Sequence, residues 1–222
     1  MPNALRAKSF VVEEDLTVTG GTTLQARKQE LVRTAIWEAA TDLFAEKGYD
    51  ETTVDDIALK AGISRRSFFR YFSSKSDLMG YGVVGYGAHL TEAIGACPPG
   101  CPVAEVFRRT VLQVAERCAA HPATRRIMGI AVKCPAAREA HQSRTPELLE
   151  RIEAALAQRY GNRSMDGLTP RIVAQMILSV LSLIFMQWFE QGDDDIAITA
   201  EQILGTLELL VSRDRKTPKR RA

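Results

Sequence analysis

Residues 52–72 read TTVDDIALKAGISRRSFFRYF, and this stretch decides how the N-terminal part of the chain folds. It predicts two short helices joined near Gly62, because glycine readily adopts the left-handed conformation that often ends a helix. Thr53 can cap the first helix, with Asp56 three residues on, and Ser64 can cap the second. Two helices in this order are typical of a helix-turn-helix, which places its second helix in the major groove of DNA.

Positive charge is concentrated on the second of these helices. Between Lys60 and Lys75 the sequence has five basic and no acidic side chains, whereas the whole chain has 29 basic and 27 acidic ones. Phe68 and Phe72 are four residues apart and face inward, which leaves the basic side chains on the outer surface. Phosphate recognition requires such a surface. The alternative is a helical hairpin whose basic face is only solvated.

The segments on either side fit the same arrangement. Residues 25–47 predict one amphipathic helix that ends before Gly48. Ser74 can cap a fourth helix, with Asp77 three residues on. Several pieces of this region occur in a characteristic order: LFAEKGY at 43–49, TTV at 52–54, AGIS at 61–64, FRYF at 69–72 and SK at 74–75.

Because of these sequence segments and their order, residues 30–79 resemble the TetR (tetracycline-repressor-like) family of one-component regulators. The resemblance implies an all-α fold, with an N-terminal three-helix helix-turn-helix domain and a larger C-terminal helical domain for ligand binding and dimerisation. The boundaries expected for this chain are a disordered arm at 1–24, the DNA-binding domain at 25–78, the ligand-binding and dimerisation domain at 79–211, and a basic disordered tail at 212–222. An arm in the minor groove and a tail on phosphates are the functional alternatives.

The resemblance also implies a DNA-binding set. Arg65, Arg66 and Ser67 are expected to contact base edges, because arginine can bond guanine in a bidentate manner. Arg70, Tyr71 and Lys75 are expected to bind phosphates and fix the register. Phenylalanine stands at position 69, where many relatives have tyrosine, so no hydroxyl is available there. The full predicted set is Thr53, Ser64, Arg65, Arg66, Ser67, Phe69, Arg70, Tyr71 and Lys75.

The last two long helices are predicted to be buried, and the first of them to be covered on both sides, by its own domain and by a partner subunit. The first begins at Thr169-Pro170 and is strongly apolar, but polar residues interrupt it, which argues against a membrane span. The second is predicted to begin at Thr199, with Gln202 at capping-box spacing. In the resembling family such a pair forms a four-helix dimer interface. The interface residues expected here are Trp188, Ile203, Leu207 and Leu210.

A ligand pocket is expected among the remaining apolar and mixed side chains of the C-terminal domain. The glycine-rich start of the fourth helix, at Gly80, Gly82, Gly85 and Gly87, indicates either close packing or a compliant lever, and packing is the preferred interpretation. The pocket candidates are Tyr86, His89, Phe107, Met128, Ile130, Phe185, Met186 and Phe189.

No motif indicates catalysis, since the sequence has neither a recognisable Ser-His-Asp set nor a glycine-rich phosphate loop. The four cysteines match no common zinc spacing, so neither a metal site nor a cofactor is expected. Cys97 and Cys101 flank a turn-rich loop and could form a thiol switch, although cytosolic thiols are normally reduced.

The predicted function is therefore that of a cytoplasmic, ligand-responsive repressor. It would bind a pseudo-palindromic operator as a homodimer and be released by a small, largely apolar effector. Repression is inferred from what most members of the family do and not from any residue of this sequence. Its expected partners are double-stranded DNA, the effector and a second copy of itself, with no membrane. The alternatives are a redox-sensing DNA-binding regulator acting through Cys97 and Cys101, and an enzyme or ligand carrier that has lost DNA binding.

Overall fold

A computed structural model of the chain describes residues 24–161, 168–192 and 195–213, with no side chain described at Val84 or beyond Leu210. Within these ranges the protein is helical and has no strand, which confirms the all-α prediction. The predicted arm and tail lie outside the described residues, apart from Leu24 and the last two residues of the final helix. The helices are α1 (Leu24–Lys47), α2 (Val54–Lys60), α3 (Arg65–Tyr71), α4 (Lys75–Ala96), α5 (Val103–Ala119), α6 (Pro122–Lys133), α7 (Pro135–Gln142), α8 (Thr145–Tyr160), α9 (Leu168–Gln191) and α10 (Ile196–Arg213).

The described residues divide into two compact units. The first unit comes from the stretches Met1–Ala88 and His121–Leu148, and the second from His89–Ala120 and Leu149–Ala222. The helices α6 and α7 therefore group with the N-terminal helices rather than with the later ones. Contacts between α1 and α6 account for this grouping. A domain boundary at residue 78 stays a prediction from sequence.

The first unit is built on aromatic and aliphatic side chains that no water reaches. Trp37 on α1, Ile57 on α2 and Phe68 on α3 are all fully buried. Burial of side chains of this size contributes about 1.5–3 kcal/mol each. Because one such residue comes from each helix, the three N-terminal helices share a single core.

Local sequence signals set the helix boundaries in this unit. Thr53 and Asp56 form a capping box at the start of α2. Gly48 and Gly62 have φ values of 93° and 68°, in the left-handed region that favours glycine. The Ser64 side chain accepts a hydrogen bond from the main-chain N–H of Ser67 and caps α3. The predicted caps and turns are confirmed.

The start of α4 packs closely against its neighbours in the first unit. A Cβ atom added at Gly82 would lie 3.2 Å from Cζ2 of Trp37 and 3.4 Å from Cδ1 of Ile127. One added at Gly80 would lie 2.8 Å from Cγ of Arg144. At these two positions the glycines serve close packing, as the preferred interpretation expected.

The second unit is organised around α5, α9 and α10, which contact one another in pairs. Arg108 on α5 donates to Glu201 and Glu208 on α10, with distances of 2.5 Å and 3.4 Å. The helix α9 is long and apolar enough to span a membrane by composition alone, with a mean hydropathy of 1.9. Of that stretch, 44% is buried inside the protein, and one such helix is weak evidence for a membrane span.

The start of α10 differs from the prediction. The helix begins at Ile196, and a carboxylate oxygen of Asp195 accepts a hydrogen bond from the N–H of Ala197. Thr199 lies inside the helix, 1% exposed, with its hydroxyl 3.4 Å from the side-chain oxygen of Gln191. The capping-box prediction at Thr199 is therefore wrong, because an aspartate four residues earlier caps the helix instead.

Candidate nucleic-acid interface

The helix α3 has a basic outer face, and its inner face is formed by buried aromatic side chains. Phe68 and Phe72 are 0% and 2% exposed and anchor the helix in the first unit. Arg65, Arg66 and Arg70 are exposed. The helix is therefore fixed by its inner side while three guanidinium groups remain in solvent, as a helix that enters a DNA groove requires.

Arg65 is held in a defined orientation by its neighbours. Its Nη1 lies 2.7 Å from a carboxylate oxygen of Asp55, and its guanidinium lies 5.6 Å from the centre of the Phe69 ring. Both partners of the ion pair are more than 60% exposed, so the pair contributes little to stability. Its effect is to orient the guanidinium at the first turn of α3.

The second half of α3 carries a similar pair. Arg70 donates from Nη2 to the hydroxyl of Tyr71 at 3.1 Å, and its guanidinium lies 5.0 Å from the centre of that ring. Phe69, which directly precedes this pair, is 48% exposed although it is apolar. The exposed surface of α3 thus combines cationic groups with an aromatic face, both of which suit contacts with DNA.

Two members of the predicted DNA-binding set, Thr53 and Ser64, serve first as helix caps. The Asp56 carboxylate accepts hydrogen bonds from both the main-chain N–H and the hydroxyl of Thr53, and the pKa of Asp56 is lowered by these bonds and by Lys47. The hydroxyls of Ser64 and Ser67 lie 3.0 Å apart. These side chains therefore position α2 and α3, and their contact with DNA stays a prediction.

Lys75 occupies a different environment from the one predicted. Its ammonium donates to the main-chain carbonyls of Tyr49, Asp50 and Thr52, at 2.6, 3.2 and 3.0 Å, and lies 4.5 Å from the centre of the Tyr49 ring. An ammonium has three donors, so all of them are used within the unit. Lys75 therefore fastens the α1–α2 turn, and its contact with a phosphate stays a prediction.

Lys60 on α2 and Lys47 at the end of α1 are paired with acidic groups. Lys60 lies 3.0 Å from Glu46 and 3.7 Å from Asp42, and Lys47 lies 3.2 Å from Asp56. These pairs offset the positive charges of Lys47 and Lys60 beside α3.

Two family models match the chain and together cover both of its halves. The model described as bacterial regulatory proteins, tetR family, matches residues 36–81. The model described as the MftR C-terminal domain matches residues 101–211, which is half of the chain. The chain belongs to the TetR family. It is therefore a helix-turn-helix regulator of the DNA-binding class and not an enzyme.

Individual proteins support this assignment. The HTH-type transcriptional regulator TcmR of Streptomyces glaucescens is 24% identical over 211 residues, which cover 89% of this chain and 92% of that protein. An HTH-type transcriptional repressor of Mycobacterium tuberculosis is 38% identical over 71 residues, or 32% of this chain and 38% of its own. The crystal structure of FadR from Bacillus subtilis in complex with stearoyl-CoA has a TM-score of 0.57 and 19% identity, over 78% of this chain and 96% of that one.

The ligand-lining residues predicted for this TetR-family regulator fall in both units. Tyr86, Met128 and Ile130 belong to the first unit, whereas His89, Phe107, Phe185, Met186 and Phe189 belong to the second. Phe185 is 7% exposed, whereas Met186 is 43% exposed. Met186 therefore lies at the surface of α9, and a pocket lined by these residues stays a prediction.

The predicted dimer residues also differ in exposure. Trp188 is 3% exposed and Leu210 is 62% exposed, while Ile203 and Leu207 are half-buried. Trp188 is buried within the chain and leaves almost no surface for a second copy, so its part in the interface stays a prediction. The predicted dimer residues leave out a second apolar stripe on α9, whose members are three, four or seven residues apart and could have been found by that helical spacing. Its exposed members are Leu168, Ile172, Met176, Leu183 and Met186.

The cysteines form no metal site in the part of the chain that the structure describes, and no cluster of three or more potential ligands occurs there. The Cys97 thiol is buried and donates to the carbonyl of Ala93 at 3.4 Å. Burial raises the pKa of Cys97. A raised pKa keeps a thiol protonated and unreactive, so this observation does not favour a redox switch at Cys97.

Proposed function

We propose that this TetR-family regulator is a cytoplasmic, ligand-responsive repressor that binds a pseudo-palindromic operator as a homodimer. A small, largely apolar molecule would release it from DNA. In such a dimer, two copies of α3 would enter successive major grooves about 34–36 Å apart. An effector that favours a different spacing would weaken operator binding about 5- to 150-fold, for a coupling of about 1–3 kcal/mol.

The observation that carries the proposal is the outer face of α3. Arg66 is exposed at the first turn, next to an Arg65 that Asp55 already orients. A preoriented arginine and an exposed neighbour are suited to base edges, because bidentate arginine contacts discriminate between bases. Arg70 and Tyr71, one turn further on, are suited to a phosphate.

The apolar stripe on α9 supports the homodimer. Ile172, Met176 and Leu183 are 49%, 42% and 44% exposed within one chain. Exposed apolar residues grouped on one face mark interaction surfaces in soluble proteins. Leu209 and Leu210 on α10 are exposed as well and extend the apolar surface available to a second copy.

Two relatives support the remaining parts of the proposal. The repressor of Mycobacterium tuberculosis is 38% identical to this chain over 71 residues, which is consistent with repression. FadR of Bacillus subtilis was crystallised with stearoyl-CoA, a molecule with a long apolar chain. An effector with an apolar part is the corresponding expectation for this chain.

DNA recognition is tested by selecting genomic fragments that the purified full-length protein retains at physiological salt. We expect an enriched palindrome. Arg66→Ala should then weaken binding to that operator by about 1–3 kcal/mol and relax the preference at one base position of each half-site. Arg138→Ala, a change at an exposed arginine on α7, is the matched control and should leave binding unchanged. Retention of every sequence alike, abolished by added salt, would contradict sequence-specific recognition.

The homodimer is tested separately by sedimentation of the wild type and of Leu183→Asp. A buried charge in the middle of the α9 stripe should dissociate the dimer, whereas the monomer should remain helical because Leu183 is exposed within one chain. Leu59→Asp replaces another exposed leucine, on α2, and should not change the mass. An unchanged mass for Leu183→Asp would show that the interface lies elsewhere.

A further inference from the structure

The second unit contains a surface groove that none of the predicted ligand residues lines. Its volume is about 1000 Å³, and it runs between the end of α4, the loop after it and the last two turns of α8. The residues that give it its chemistry are Cys101, Val103, Arg151, Ala155, Arg159 and Tyr160.

One wall of the groove is fixed by hydrogen bonds. Arg159 donates to the main-chain carbonyls of Ile94 and Pro98, and the hydroxyl of Tyr160 donates to the carbonyl of Cys101 at 2.9 Å. The loop is therefore fastened to the last turn of α8 at both of its ends. A binding site that is already ordered loses little entropy when a ligand binds.

The groove is positively charged and partly apolar. Arg159 bonds only to neutral carbonyls among the described residues, so no carboxylate there offsets its charge. Arg151 lies on the same face of α8, eight residues earlier and thus about 12 Å away along the helix axis. Small and apolar side chains, Ala155 and Val103, line the space with them.

We propose that this groove binds an amphipathic anion, that is, a carboxylate or phosphate group on an apolar chain. Arg151 contacts the anionic group, because guanidinium recognises carboxylate and phosphate through paired hydrogen bonds. Arg159 supplies a fixed positive charge, and the apolar chain lies against Val103 and Ala155. Binding itself is independent of the proposed function, whereas an effect of this ligand on operator release rests on it.

Cys101 offers a direct measurement, because it lines the groove and is half-buried. Cys134, also half-buried, lies in the first unit and is an internal reference, while Cys97 and Cys118 are buried. The rate at which iodoacetamide alkylates each thiol of the full-length protein is followed by peptide mass spectrometry. The probes are octanoate, octyl phosphate and uncharged octanol.

We expect octanoate or octyl phosphate to slow alkylation of Cys101 about fivefold at a concentration four times Kd, since the free fraction is then one fifth. Alkylation of Cys134 should not change. Whichever probe protects at the lower concentration identifies the head group. Arg151→Gln should raise the concentration required about tenfold, as expected for the loss of a charge-assisted contact. Arg138→Gln is the matched control.

Three results would overturn the proposal: no protection by either anion, equal protection by octanol, or equal protection of Cys134. The first two comparisons use the wild type, so they hold even if Arg151→Gln does not fold. Adding the protecting probe to the operator complex is a separate readout. Protection without any operator binding would leave the groove assignment intact and contradict the proposed repressor instead.

Discussion

Replacing Lys75 by methionine distinguishes a structural lysine from a DNA-binding one. The change keeps the aliphatic stem and removes the ammonium that three carbonyls and the Tyr49 ring surround. A hydrogen bond from a charged donor contributes about 1.5–3 kcal/mol, but the three bonds share one partly accessible group and do not add. The ring contact adds about 0.5–1 kcal/mol. We therefore expect a loss of about 2–4 kcal/mol, or roughly 5–15 °C in Tm for a chain of this size.

The assay combines thermal or urea unfolding with the salt dependence of operator binding. A phosphate contact contributes about 0.9 to the slope of log K against log salt, so a structural Lys75 predicts an unchanged slope at a temperature where the variant is folded. Lys133→Met, on the exposed end of α6, is the control and should alter stability by less than about 0.5 kcal/mol. Unaltered stability together with a slope reduced by about 0.9 per half-site would refute the reasoning and restore the phosphate clamp.

Two further predictions concern the first unit. Gly82→Ala gains about 0.5–1 kcal/mol of helix propensity but forces contacts against Trp37 that cost about 1–3 kcal/mol, so urea unfolding should show a net loss of stability. Gly95 lies in the same helix, and a Cβ atom added there would meet no atom within 4 Å, so Gly95→Ala should be neutral or stabilising. Burial lowers the pKa of His141 in the folded protein below its ordinary value. The stability that His141 contributes is therefore complete above the ordinary pKa. It falls as the pH drops below the ordinary pKa, because the unfolded chain then binds a proton that the folded chain does not. His141→Gln should lose less stability than the wild type between about pH 7.5 and about pH 5.5, and parallel pH profiles would contradict this.

The sequence by itself determined the parts of the protein that depend on near neighbours along the chain. The caps at Thr53 and Ser64 and the turns at Gly48 and Gly62 involve residues no more than four positions apart, and each occurs as predicted. The same holds for the inward Phe68 and the outward arginines of α3, since helical periodicity alone separates them. These local features were sufficient to identify a helix-turn-helix.

Only the tertiary structure determined the surroundings of side chains that contact residues far away in the sequence. Lys75 is basic and lies just after the recognition helix, but only the folded chain brings it to carbonyls 23–26 residues earlier. Trp188 and Leu183 are equally apolar in the sequence of α9, yet one is 3% and the other 44% exposed, because α5 and α10 cover only part of that helix. The sequence specifies which side chains are apolar or charged, whereas long-range packing determines which of them remain at the surface.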